Sequence, residues 1–187
     1  MQALFLAVFA AIIAVADQVT KYHTVTNIAY MPNRNIPAEA IEKFLASFRL
    51  TETQVAAMPT EKQAVPGLFS LSHWHNDGAA WSSFAGMQWL FAIIFLLFTV
   101  AVIWEYRKKA MPFTAFDRWC IAAIYGGGLG NMIDRIRFGF VIDMIELDFI
   151  NFPIFNVADC FITCGCIALA VHLVFFNREF WKEEKKK

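Results

Sequence analysis

Long apolar runs separated by short polar segments dominate this sequence. No Asp, Glu, Lys or Arg occurs between Asp77 and Glu105, and none occurs between Asp159 and Arg178. About 20 mostly apolar residues suffice for a helix that crosses the hydrocarbon core of a bilayer. The pattern predicts four membrane-spanning helices, at about residues 1–16, 85–104, 113–133 and 159–177.

The first and third predicted spans carry further signals. The third is interrupted by Gly126, Gly127, Gly128 and Gly130, and glycines allow spanning helices to approach one another closely. Residues 1–16 end in Ala-Val-Ala, which matches the cleavage site of a secretory signal peptide. A signal peptide would also carry a basic residue before its apolar run, and none is present, so we expect a retained helix.

The polar segment before the second span contains its own short elements. Thr51-x-x-Gln54 resembles the capping box of a short helix, and the turn-initiated stretch 66–75 is typical of a strand. We expect a hairpin insertion over about residues 36–62 on the outer membrane surface. Its first helix is indicated by apolar residues at i, i+3, i+4 and i+7: Ile41, Phe44, Leu45 and Phe48.

Lys and Arg are concentrated in the 105–118 loop and in the tail after residue 177, and are sparse in 17–84 and 134–158. Basic loops remain on the cytoplasmic side of a membrane. The sequence therefore predicts cytoplasmic termini and an all-α integral membrane protein. We expect one membrane-embedded domain, residues 1–187, with four transmembrane helices and a small extracytoplasmic β-like hairpin element.

Composition supports the membrane class and removes other classes. Hydrophobic residues make up 58% of the chain and charged residues 17%, against about 45–50% and about 25% in soluble domains. Sixteen basic and sixteen acidic residues balance, so no nucleic-acid partner is expected. We expect Cys160, Cys164 and Cys166 to be packing residues. His73-x-His75 alone offers too few ligands for a metal site.

Polar residues occur at the predicted outer ends of all four spans, where ionisable groups are costly and usually functional. Each one alone could be a helix cap or an ion pair, but together they converge on one level of the membrane. Asp143 is the least explained, because it stands in an apolar, strand-like stretch. The set comprises Asp17, Lys21, Asn76, Gly78, Asn131, Asp134, Arg135, Asp143, Asn156 and Asp159.

Asp143 and Asp159 suit a pair of carboxyl groups that share one proton. One could act as general base on water while the other donates to a substrate carbonyl. A serine mechanism has less support, since no GxSxG motif occurs. Two alternatives remain open: a proton-coupled transporter that relays protons through its aspartates, and a non-catalytic scaffold that associates through the glycine-rich span. Loss of proteolysis on neutralising one aspartate would identify the enzyme.

Five sequence blocks resemble those of the lipoprotein signal peptidase family, also called signal peptidase II. They occur in the family's order within roughly residues 1–30 and 66–176. The blocks are Asp17-Gln18-Val19-Thr20-Lys21, Asn76-Asp77-Gly78-Ala79-Ala80-Trp81-Ser82, Gly126-Gly127-Gly128-Leu129-Gly130-Asn131-Met132-Ile133-Asp134-Arg135, Gly139-Phe140-Val141-Ile142-Asp143-Met144-Ile145 and Phe155-Asn156-Val157-Ala158-Asp159.

The resemblance implies an intramembrane aspartyl endopeptidase of the bacterial cytoplasmic (inner) membrane, with its active site at the outer face. It would remove signal peptides from prolipoproteins, cutting before the cysteine that carries a diacylglyceryl group. Its expected partners are the lipid-modified prolipoprotein and membrane lipids, and we expect a monomer. The resemblance implies neither a cofactor nor a metal. The 36–62 insertion departs from the family pattern.

The family's catalytic pair maps onto Asp143 and Asp159. The resemblance implies that Asn131 and Arg135 orient substrate carbonyls or the catalytic pair, and that Asn156 holds Asp159. Asp134 is expected to be a structural partner. The supporting positions as a whole map onto Asp17, Lys21, Asn76, Gly78, Asn131, Arg135 and Asn156.

Overall fold

The computed structural model describes residues 2–79, 83–177 and 179–180. Residues 80–82, the end of the second sequence block, lie outside this part of the chain, and so does most of the basic tail that supports the predicted orientation. The helices are α1 (Gln2–Asn27), α2 (Ala38–Ser47), α3 (Glu52–Ala56), α4 (Gln88–Lys108), α5 (Ala115–Phe138) and α6 (Val157–Phe175). The strands are β1 (Glu61–Val65), β2 (Phe69–Asn76) and β3 (Val141–Leu147).

Three described helices, α1, α4 and α6, are long and apolar enough to cross a membrane. The α4 helix has no buried residue, and its exposed apolar side chains suit contact with lipid tails on most sides. The structure is therefore that of a mostly helical membrane protein. The 24-residue α5 helix is not among the three, because its glycines and the polar residues near its C-terminus lower its hydropathy.

The α5 helix lies between α1 and α6 and contacts both. Its glycines permit this packing, since a Cβ at Gly126 would lie 2.7 Å from the carbonyl oxygen of Ala10 on α1. A Cβ at Gly127 would lie 2.4 Å from the carbonyl oxygen of Ala158 on α6. Any larger side chain at Gly126 or Gly127 would force α5 away from α1 or from α6. The predicted role of the glycines in close helix packing is confirmed.

The α1 helix continues beyond the predicted span of residues 1–16 and ends at Asn27. Asp17 and Lys21 consequently lie inside a continuous helix, where they face α5. The three strands form an antiparallel sheet in the order β1-β2-β3. In its register Trp74 pairs with Asp143 and Asn76 pairs with Val141. This pairing brings Asn76 and Asp143 to the same end of the sheet.

The insertion forms two short helices that pack on the sheet and on the end of α1. Phe44 and Leu45 of α2 are buried against Val25, Phe140 and Ile142, which confirms the amphipathic helix predicted from the apolar spacing. The capping box that begins α3 is also present, formed by the residue pair predicted from the sequence. The insertion therefore covers one face of the sheet, and its apolar side chains form a hydrophobic core with those of β3.

Candidate active site

The end of α5, the start of α6 and strand β3 meet around a cavity of about 750 Å³. Four of the selected residues, Asp17, Lys21, Asp134 and Asn156, lie behind its wall and are fully buried. The other predicted residues line the cavity: Asn76, Gly78, Asn131, Arg135, Asp143 and Asp159. The structure thus brings together all the residues that the sequence analysis selected.

Asp143 on β3 is only 1% exposed. Its Oδ2 accepts a hydrogen bond from Asn76 Nδ2 at 2.9 Å, and its Oδ1 accepts one from Asn156 Nδ2 at 2.6 Å. Burial and the negative charge of Asp159 raise the pKa of Asp143 to about 8, against the opposing effect of these amide donors. Near neutral pH this carboxyl group therefore keeps its proton.

Asp159 is half-buried in the first turn of α6. Its Oδ2 accepts from the backbone N–H of Asn156 at 3.1 Å, while Asn156 Oδ1 accepts from the backbone N–H of Asp159 at 2.9 Å. This reciprocal pair is a capping box, which explains why α6 begins here. Asp159 Oδ1 accepts from Asn131 Nδ2 at 2.7 Å. The helix start fixes this carboxylate on the cavity wall.

Two asparagine amides connect the carboxyl groups of Asp143 and Asp159. Asn156 Nδ2 donates to Asn131 Oδ1 at 2.9 Å as well as to Asp143. Lys21 Nζ donates to the same Asn131 oxygen at 3.0 Å. Because Asn131 Oδ1 is occupied by two donors, Asn131 Nδ2 is directed at Asp159. The family resemblance implies that Asn156 holds Asp159, but it does not imply the side-chain bond from Asn156 to Asp143.

A buried ion triad lies beneath this network. Lys21 Nζ is 2.8 Å from Asp17 Oδ2 and 2.8 Å from Asp134 Oδ2. Asp17 Oδ1 accepts from the backbone N–H of Ala158 at 3.0 Å, and Asp134 Oδ2 accepts from that of Ile142 at 3.1 Å. The triad therefore fixes the first turn of α6 and strand β3 relative to α1. Removing one partner from such a group leaves an uncompensated buried charge.

Gln18 is a member of this network that the sequence analysis did not select as a site residue. Its Nε2 donates to Asp134 Oδ1 at 2.8 Å and to the carbonyl oxygen of Gly130 at 3.2 Å. Gln18 stands inside the first sequence block, so its position offered a signal. An amide is, however, less conspicuous there than the flanking Asp17 and Lys21.

Arg135 and Gly78 form the opposite part of the cavity wall. Arg135 Nη2 donates to the carbonyl oxygen of Gly78 at 3.0 Å, and its guanidinium carbon lies 4.3 Å from the ring centroid of Phe91. Arg135 Nε has no partner among the described residues. The backbone N–H of Gly78 donates to Asn76 Oδ1 at 3.0 Å, which directs Asn76 Nδ2 at Asp143.

The two histidines of β2 lie under the insertion, outside the cavity. His73 Nδ1 is 2.9 Å from the carbonyl oxygen of Ile28, so this nitrogen carries the proton, and His73 Nε2 accepts from His75 Nε2 at 3.0 Å. Burial lowers the pKa of His73 to about 4 and that of His75 well below its ordinary value. Both rings are therefore neutral. Within the described residues, no cluster of three or more His, Cys, Asp or Glu could hold a metal ion.

The fold and the site define a helical membrane protein with two carboxyl groups on one cavity, joined by amide hydrogen bonds. The sequence profile of the family described as Signal peptidase (SPase) II matches residues 9–175. The chain belongs to the signal peptidase II family. It is accordingly a membrane protease, and an aspartic type is consistent with that family.

Relatives and solved structures agree with this assignment. The chain is 34% identical to a lipoprotein signal peptidase of Lactobacillus johnsonii, over 95% of this chain and 96% of that protein. It is 44% identical to one of Streptococcus agalactiae, over 66% of this chain and 75% of the relative. A solved bacterial membrane enzyme superimposes with a TM-score of 0.69 at 26% identity, covering 92% of this chain and 94% of the other.

Proposed function

We propose that the chain is an intramembrane aspartyl endopeptidase that removes the signal peptide from diacylglyceryl-modified bacterial prolipoproteins. The cut falls on the N-terminal side of the lipidated cysteine. The single observation that carries the aspartyl mechanism is the pair Asp143 and Asp159, which share one cavity and are connected through Asn131 and Asn156. Family membership supports the substrate class.

In this mechanism the two carboxyl groups hold one proton between them and titrate as a unit. Asp143 is the more deeply buried of the two carboxyl groups, and its raised pKa supports placing the shared proton on it in the resting protein. Asp159 then takes a proton from the attacking water, and Asp143 donates its proton to the carbonyl oxygen of the scissile bond, which gives a tetrahedral intermediate. Asp159 passes its proton to the peptide nitrogen as the C–N bond breaks, and Asp143 recovers a proton from the hydroxyl group as the carbonyl re-forms. The Asn131 and Asn76 amides hold the two carboxyl groups in position. Both asparagines can do so without changing charge.

The cavity also suits a lipid-anchored precursor. Away from the carboxyl groups its wall is apolar and is formed by Phe91 and Phe95 of α4 and Ile162 of α6. Such a wall can receive an acyl chain or the apolar helix of a signal peptide. Arg135 Nε, unpaired among the described residues, is available to donate to a peptide carbonyl. We expect a monomer to suffice, because every proposed site residue comes from one chain.

For the membrane topology we propose four spans, with α5 as the third. It lies between two of the apolar helices, so those helices shield its polar residues from lipid. Arg107 and Lys108 at the end of α4 support a cytoplasmic location for the α4–α5 loop. The termini are then cytoplasmic and the carboxyl pair lies at the outer face of the cytoplasmic membrane, where a lipidated precursor presents its cleavage site.

The test is gel-shift cleavage of a purified diacylglyceryl-modified prolipoprotein by the detergent-solubilised full chain. We compare the wild type with Asp143→Asn and Asp159→Asn, and thermal unfolding checks that each variant is folded. Asp148→Asn is the matched control, because Asp148 is exposed just after β3. We expect cleavage by the wild type and the control, and none by the two dyad variants.

Other outcomes are equally informative. Near-normal cleavage by a folded Asp143→Asn or Asp159→Asn variant would exclude the dyad while leaving the peptidase intact, and Asp134 would be the next candidate. A wild type that leaves a competent precursor uncut would contradict the proposed substrate. Proton-coupled transport would then be measured in vesicles.

A further inference from the structure

A second cavity, of about 670 Å³, lies between α1, α4 and α5, within the range of roughly 300–1,000 Å³ typical of small-molecule sites. Phe98 of α4 lines both this cavity and the active-site cavity, whereas Tyr125 of α5 lines only this one. The Tyr125 ring stacks on Phe95 with a centroid distance of 5.3 Å and lies 6.1 Å from Phe98. Neither Asp143 nor Asp159 lines this second cavity. It is therefore a separate site, which we call the rear cavity.

The walls of the rear cavity are formed mostly by apolar side chains. The α1 helix contributes the small residues Ala7, Ala10 and Ala11, which face Phe98 and Val102 of α4. An apolar space of this kind excludes water and is suited to an acyl chain. A chain that leaves the bilayer for this wall gains little, because both surroundings are apolar. Any preference for one lipid must therefore come from polar groups at the mouth of the cavity.

Three charged side chains line that mouth, at the end of the bundle remote from the carboxyl pair: Glu105, Arg107 and Arg118. Glu105 Oε2 accepts from the backbone N–H of Met111 at 3.0 Å. Glu105 Oε1 is buried and has no hydrogen-bond partner in the part of the chain that the structure describes. A buried acceptor without a donor costs free energy, and a bound ammonium group would remove that cost.

The two arginines supply the complementary charge. Within the described residues, neither Arg107 nor Arg118 belongs to an ion pair. A guanidinium group binds phosphate through paired hydrogen bonds. The mouth of the rear cavity thus offers hydrogen-bond donors for a phosphate and an acceptor for an ammonium group. The apolar part of the cavity adjoins these groups.

We propose that the rear cavity binds one membrane phospholipid whose head group carries both a phosphate and a primary ammonium, as in phosphatidylethanolamine. An acyl chain lies between α1 and α4, the ammonium donates to Glu105 Oε1, and the phosphate contacts Arg107 and Arg118. The bound lipid also supports α4, which packs on the bundle mainly through α5.

The test measures lipid binding to the delipidated full-length protein in detergent by native mass spectrometry. The probes are phosphatidylethanolamine, phosphatidylglycerol and diacylglycerol with identical chains, so that they differ only in ammonium and phosphate. We expect affinity to fall in that order. Glu105→Gln should reduce phosphatidylethanolamine binding about tenfold, as for loss of one charge-assisted hydrogen bond, and should leave phosphatidylglycerol binding unchanged. Arg118→Gln should weaken both phospholipids.

Two further variants complete the design. Lys108→Gln makes the same charge change as Arg118→Gln at the same end of the bundle, but Lys108 does not line the cavity, so binding should not change. Ala7→Phe fills the channel and should abolish binding of all three probes while the protein stays folded. Equal binding of the three probes to the wild type would overturn the proposal, as would an unchanged preference in Glu105→Gln. Wild-type binding by Ala7→Phe would exclude the rear cavity.

Discussion

Replacing Gly127 by alanine should displace the start of α6 and, with it, one carboxyl group of the proposed dyad. A Cβ at this position would lie 2.4 Å from the carbonyl oxygen of Ala158 and 2.8 Å from Ile162 Cγ1. Favourable contacts between heavy atoms lie at about 3.5–4.0 Å. Because the nearer atom belongs to the backbone, rotation of a side chain cannot relieve the clash. The α6 helix must therefore move away from α5 by about 1 Å.

The expected effect on stability is moderate and the effect on activity is large. Overpacking costs about 1–3 kcal/mol, and alanine returns up to about 1 kcal/mol of helix propensity relative to glycine. Asp159 directly follows Ala158 and lies 2.7 Å from Asn131 Nδ2, so the shift breaks that bond. A misplacement of about 1 Å can lower turnover roughly 100-fold.

The assay compares kcat for precursor cleavage with the midpoint of thermal unfolding. Gly128→Ala is the matched control, because its Cβ would meet only the Phe95 ring, 2.9 Å from Cε2, and this ring can rotate. We expect Gly127→Ala to lose most of its kcat while it remains folded. Gly128→Ala should keep a kcat near that of the wild type, because rotation of Phe95 changes the proposed acyl-chain wall, and so KM, without moving either carboxyl group. Turnover by Gly127→Ala close to that of Gly128→Ala would refute the link between helix spacing and carboxyl geometry.

Two further predictions concern the dependence of stability on pH. Asp143→Asn should lose less stability than the wild type as the pH rises from about 5 to 7, because an amide cannot ionise. The raised pKa of about 8 means that stability present below about pH 4 is lost as the pH rises towards 8, at a cost of about 4 kcal/mol near pH 7. Acidification of the wild type from about pH 7 to 5 should have two opposing effects: the protonated Asp143 adds about 2.5 kcal/mol of stability over this interval, whereas the two buried histidines remove more than that, so a small net loss is expected. The lowered pKa values of His73 and His75 predict that each ring lowers the free energy of unfolding by about 2 kcal/mol over that interval. His75→Phe should remove the contribution of His75.

Controls make both measurements decisive. The stability of Asp143→Asn relative to the wild type should rise between about pH 5 and 7, whatever constant amount the variant loses because one amide donor no longer has an acceptor. A difference that stays constant over this range would contradict the raised pKa. His23 is exposed, so His23→Phe should leave the acid dependence unchanged. If His75→Phe loses as much stability on acidification as the wild type, the buried pair is not the source of the effect.

Much of the fold follows from local patterns in the sequence. The apolar runs indicate the long helices. The spacing of Ile41, Phe44, Leu45 and Phe48 predicts α2, because one face of a helix repeats with that period. The Thr51–Gln54 capping box predicts where α3 begins, since it satisfies free N–H groups of the first turn. The extension of α1 to Asn27 could not be predicted in this way, because Asp17 and Lys21 can be buried there only once α5 and α6 supply their remaining partners.

The sequence predicts which residues form the candidate site, but it does not predict the hydrogen bonds that join them. Residue type and position at the span ends indicate Asp143 and Asp159 as a pair. Which amide donates to which carboxyl group depends on tertiary packing, and the direction of Asn131 is set by Lys21 and Asn156. The rear cavity left no motif at all, because its walls are ordinary apolar residues from three helices.

The ion triad has a consequence for how the protein is made. Asp17 and the backbone N–H of Ala158 are separated by 141 positions, and Lys21 reaches Asn131 across 110. While the chain is being synthesised, the first helix must therefore enter the bilayer with Asp17 and Lys21 paired only to each other, as an i, i+4 salt bridge. The α5 helix later supplies Asp134, and α6 arrives last. The proteolytic site thus becomes complete only when the final helix docks, so a partly inserted chain is inactive.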